Sequence, residues 1–110
     1  MNTTLKNQVQ KTFVSVLSDF KNQNELQEFL NDFLTPKEFA GLAKRFSVAY
    51  WLSKKRSYTN IQNNLKVSSS TISEVATISK KPGFKLALKK LEADEWASQW
   101  SEKIKKFVKK

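Results

Sequence analysis

Ser69, Ser70, Thr71 and Ser73 cluster short hydroxyl side chains in one run of the chain. Such groups hydrogen-bond to base edges and phosphates without steric conflict. Lys54-Lys55-Arg56, a little upstream, supplies cations that suit a phosphate backbone. Other chemistry lacks its residues. There is no cysteine, so no disulfide framework and no thiol nucleophile. There is no histidine, the commonest general base and zinc ligand. Gly41 and Gly83, the two glycines, cannot build a phosphate-cradling loop. No catalytic residue, metal site or cofactor is expected, and the chain is not expected to be an enzyme.

The hydroxyls need a helix to present them. Tyr58 to Thr77, YTNIQNNLKVSSSTISEVAT, predicts two short helices joined by a tight turn. Ile61 and Leu65 sit four apart on the first. Ile72, Val75 and Ala76 line one face of the second, and Val67 plugs the angle between them. This is the packing skeleton of a helix-turn-helix, whose second helix enters the DNA major groove. Lys66 stands where the turn would favour glycine, and a left-handed backbone is expected there unless the turn is longer. A generic helical hairpin inside an all-α core is the alternative.

The flanks read as helices too. Leu5, Val9, Phe13, Val16, Leu17 and Phe20 make one face over about 4–22. Leu26, Phe29, Leu30 and Phe33 repeat the rhythm after Asn24, taken as the N-cap. These aromatic stripes need a cover, and a second subunit can supply it. Thr35-Pro36-Lys37-Glu38 predicts a capping box opening a long central helix that runs to about Lys54. Lys54-Lys55-Arg56 at its end complements the helix dipole. Ser79-Lys80-Lys81-Pro82-Gly83 marks a loop or a helix start. A further helix begins with Phe84, Leu86, Leu88 and Leu91. The segment from Ala93 to Val108 continues it or stands apart, with Trp96, Trp100, Ile104 and Val108 spaced by four. Lys103, Lys105, Lys106, Lys109 and Lys110 occupy its other faces, as a basic surface helix or around a core or subunit contact. Six helices without a strand pattern make the fold class all-α.

The 110 residues suggest a single domain over 1–110, with the helix-turn-helix at about 58–77 and the basic C-terminal helix at about 93–110. The net charge of +10 favours a polyanionic partner, although it also serves solubility. No apolar run is long enough to span a membrane, and the start is too polar for a secretory signal. A cytoplasmic location is expected.

LTPKEFAGLAKRFSVAYWLSKKRSYTNIQNNLKVSSSTIS resembles the core of the tryptophan repressor superfamily, closest to its TrpR-like YerC/YecD branch. Leu34, Thr35, Pro36, Glu38, Arg45, Ser57, Tyr58, Ile61, Leu65, Val67, Ser68, Ser70, Thr71, Ile72 and Ser73 fall on the family pattern. GFKLALKKL also looks like the branch's ending after the recognition helix. The resemblance covers about 24–91. It implies an intertwined all-helical homodimer with two projecting reading heads, and a turn that is itself atypical. It aligns Ser69, Ser70, Thr71 and Ser73 with DNA-facing positions, and Thr59 and Gln62 with phosphate-side ones. With Lys54, Lys55, Arg56, Lys66 and Ser68 these form the expected DNA-binding set.

The match breaks at the ligand pocket. Arg45 aligns with one of the two arginines that hold tryptophan in the family, and Thr35 with another pocket position. The second arginine is Glu74 here, the next glycine is Val75, and a pocket serine is Ile78. These five residues form a vestigial pocket, and tryptophan sensing is not carried over. Glu74 either pairs with Arg45 or points to solvent.

Two readings follow. The first is a homodimeric, sequence-specific transcription regulator of double-stranded DNA, with repression as the expected sign and without tryptophan as corepressor. The other is a nonspecific architectural nucleic-acid-binding protein, or a basic helical adaptor at an anionic membrane surface.

Overall fold

Hydroxyl and amide side chains set most of the helix starts in this chain. The computed structural model describes residues 1–108, with side chains through Trp96. The described residues are all-α, with six helices: α1 (Thr3–Asp19), α2 (Gln23–Phe33), α3 (Pro36–Ser53), α4 (Tyr58–Leu65), α5 (Ser69–Ile78) and α6 (Pro82–Val108). Two compact units divide it, with the boundary inside α3 between Leu42 and Ala43.

In the first unit, Asn2 caps α1, its Oδ1 accepting the Leu5 N–H at 2.8 Å. The helix ends before the expected Asn22. Phe20 leaves it in an extended conformation, yet its ring still meets Phe29 at 5.4 Å between centroids. Asn22, not Asn24, caps α2, and its Oδ1 accepts the Glu25 N–H at 2.8 Å. The chain is already extended at Asn22, which frees its side chain to turn back, while Asn24 lies inside the helix. Phe29 stacks on Phe33 at 5.2 Å, and Phe13 meets Phe33 at 5.6 Å. None of the residues of α1 or α2 is buried. The capping box at α3 forms as expected. Thr35 Oγ1 accepts the Glu38 N–H at 3.1 Å, and the Thr35 N–H donates to Glu38 Oε1 at 2.9 Å.

The second unit holds the core. Val48 and Ala49 of α3, Ile61 of α4, and Ile72 and Val75 of α5 are 0–1% exposed. Trp51, Leu52, Leu65, Val67, Phe84 and Leu88 pack around them. Val67 thus fills the α4–α5 angle as expected. Phe46 of α3 stacks on Phe84 of α6 at 5.8 Å.

Two lysines take left-handed backbones. Lys66, the C-cap of α4, has φ 56° and ψ 52°. Lys55 has φ 65° and closes α3 in a Schellman turn, with the Arg56 N–H on the Trp51 carbonyl and the Lys55 N–H on that of Leu52. After Pro82, one continuous helix runs past Ala93 to Val108, so no separate C-terminal helix begins there. Trp96 is 63% exposed. The side chains of Trp100, Lys103, Ile104, Lys105, Lys106 and Val108, and all of Lys109 and Lys110, lie outside the described residues.

Candidate nucleic-acid interface

The inner face of α5 is fixed by burial of Ile72 and Val75, which turns its opposite face outward. Ser68 caps the helix, its Oγ accepting the Thr71 N–H at 3.2 Å. The same Oγ lies 3.0 Å from Thr71 Oγ1 and 3.1 Å from Ser70 Oγ. One serine therefore both starts the helix and orients two neighbouring hydroxyls. Ser68, Ser69, Ser70 and Ser73 are exposed, and Thr71 is half-buried. The surface is short, polar and uncharged, and can hydrogen-bond to base edges as donor or acceptor.

On α4, capped by Ser57, Thr59 is exposed and Gln62 half-buried. Lys66 is exposed in the turn between the two helices. The Lys54–Arg56 cluster follows α3 rather than forming its last turn, and its members differ. Lys54 Nζ lies 3.5 Å from Glu95 Oε2 and 5.5 Å from the centre of the Tyr50 ring. The Tyr50 hydroxyl donates to the other Glu95 oxygen. The Arg56 guanidinium sits 4.0 Å over the Trp51 ring and donates to Asn60 Oδ1 at 3.3 Å. Lys55 has neither ion pair nor ring contact among the described residues. The partners Trp51, Asn60 and Glu95 escaped the sequence reading. Glu95 is forty-one positions from Lys54, and no local spacing connects the two.

Arg45 on α3 reaches Glu74 on α5, with Nη2 to Oε1 at 3.0 Å. The pair forms, but in the open: the two side chains are 48% and 62% exposed. Val75 beside it is 1% exposed and Ile78 half-buried. Thr35 belongs to the first unit, where its hydroxyl is engaged in the α3 cap. Among the described residues no helix is long and apolar enough to cross a membrane, and no acidic cluster could hold a metal ion.

The family model described as Trp repressor protein matches residues 8–92 of the chain. No curated protein and no solved structure matches it.

Proposed function

Because the chain belongs to the Trp repressor family it is a DNA-binding transcription regulator rather than an enzyme, and we propose that it reads a specific operator through α5 as a homodimer. The observation that carries this is the exposed hydroxyl surface of α5, held outward by Ile72 and Val75 and pre-oriented by Ser68. In this reading Ser69, Ser70, Thr71 and Ser73 face the bases. Ser68, Lys66, Thr59 and Gln62 face the backbone. Lys55 is the freest phosphate contact after α3. Lys54 and Arg56 contribute field and geometry, since both already have partners. The exposed aromatic stripe of the first unit is the proposed subunit contact. Phe13 is 40% exposed and Phe33 58%. A two-fold pair would set its reading helices about 34 Å apart, in successive major grooves. The LTP segment and the GFKLALKKL ending support placement in the YerC/YecD branch, and repression is the proposed sign of regulation.

The reading head is further proposed to work without tryptophan. Glu74 already occupies Arg45, and it places a negative charge where a ligand carboxylate would need a cation. Titration calorimetry with tryptophan, run beside duplex binding with and without it, is expected to show neither micromolar binding nor a tenfold gain in DNA affinity. Either result would overturn this claim.

Selection of bound sequences from random duplex DNA tests the function itself. An enriched palindrome supports a dimeric specific reader. Recovery of unrelated sequences supports the architectural alternative instead.

A further inference from the structure

The hydroxyl protons at the start of α5 do not point independently. Elsewhere the Ser53, Thr77 and Ser79 hydroxyls each donate to a main-chain carbonyl three or four residues back. For Ser70 and Thr71 the carbonyls that far back belong to residues that precede the helix. Their hydroxyls bond to Ser68 Oγ instead, at 3.1 Å and 3.0 Å. A serine oxygen offers one proton and two lone pairs. At Ser68 the Thr71 N–H, which can only donate, takes one lone pair. One proton and one lone pair remain for the two neighbouring hydroxyls. One neighbour must therefore accept from Ser68, and the other must donate to it. The first keeps its own proton for an outside partner. The second has used its proton and offers lone pairs alone. Turning all three O–H groups together exchanges these roles and leaves the total unchanged.

We propose, resting on base reading by α5, that Ser68 is a positioning residue that determines specificity. It holds Ser70 and Thr71 at opposite polarity, so that together they fit base edges offering one acceptor and one donor. Adenine N7 and the adenine N6 amino group are such a pair. Guanine N7 and O6, both acceptors, are not. Two independent hydroxyls would tolerate either base, because each could rotate to suit its partner. Coupling through Ser68 turns two permissive groups into one selective unit.

The test is selection of bound duplexes by the full chain and by two variants that keep the cap. Ser68→Thr retains a hydroxyl, whereas Ser68→Asp caps as well as serine but can only accept. Opposite a carboxylate, both neighbours donate inward and present lone pairs outward. The unaltered chain and Ser68→Thr are expected to enrich the same site. Ser68→Asp is expected to change that site at one position, where an acceptor edge gives way to a base with an amino group, adenine or cytosine. It is expected to prefer its new site about fivefold or more. Its added negative charge weakens all duplexes alike and leaves that ratio unchanged. A second readout is a double-mutant cycle of Ser70→Ala and Thr71→Val on the selected duplex, in which the losses of discrimination are expected to be non-additive. The same site for the unaltered chain and Ser68→Asp, a changed site for Ser68→Thr, or additive losses in the cycle would overturn the proposal and leave base reading by α5 intact. An unaltered chain that enriches no site would overturn base reading, and the proposal with it.

Discussion

At the scale of single residues, charge and backbone compete at Lys66. A non-glycine residue in the left-handed region costs about 1–2 kcal/mol. Glycine there would give back about 0.5–1 kcal/mol of that in unfolded-state freedom. Lys66→Gly is therefore expected to stabilise the fold by up to about 1 kcal/mol, while weakening DNA binding by loss of a cation. Urea unfolding beside duplex titration checks both, and a destabilised variant would contradict the argument. The Arg45–Glu74 pair shows the opposite balance. An exposed pair of this kind adds roughly 0–1 kcal/mol, so its importance lies in where it holds α5 against α3. Sequence reasoning could align these two residues but could not decide whether they meet, because that depends on how α5 packs. The αL turn at Lys66 was legible from the turn itself. The one at Lys55 was not, because nothing local distinguishes Lys55 from its basic neighbours.

At the scale of elements, the helix starts were the most legible feature. Thr35, Pro36 and Glu38 satisfy one another within a single turn, so sequence suffices to place the start of α3. Asn22 and Asn24 are chemically equivalent caps, and the choice between them depends on where the backbone leaves α1. The capping box also sets a pH dependence. The Thr35 N–H, and after it the Thr35 side chain, hold the Glu38 carboxyl below the ordinary glutamate value. A depressed folded value means stability that is fully present above the ordinary value of 4.5 and is lost as the pH falls below it through the folded value. Glu38→Gln is expected to lose part of the difference in melting temperature between pH 7 and pH 3, as read by thermal unfolding. An unchanged pH profile would show that the carboxylate is not stabilised by the cap. The continuity of α6 was open in the sequence, since its apolar spacing suits one helix or two.

At the scale of the whole molecule, the two units make different demands. The second has a buried five-residue core of its own, whereas α1 and α2 bury none of their residues. Each large apolar side chain that gains full cover contributes on the order of 1.5–3 kcal/mol. Sharing the stripe that includes Phe13, Val16 and Phe33 between two copies is therefore expected to hold the protein as a dimer. Sedimentation at micromolar concentration checks this, and a folded monomer would contradict it. Specific reading by α5 is the central claim, and it is tested most directly by comparing a selected duplex with a scrambled one at fixed salt. Thr71→Val, which keeps the shape and removes the hydroxyl, is expected to lose about 1–3 kcal/mol of discrimination and to retain affinity for the scrambled duplex. Lys55→Gln is expected to weaken both duplexes alike and to flatten the salt dependence. Equal losses on both duplexes from both variants would contradict the account.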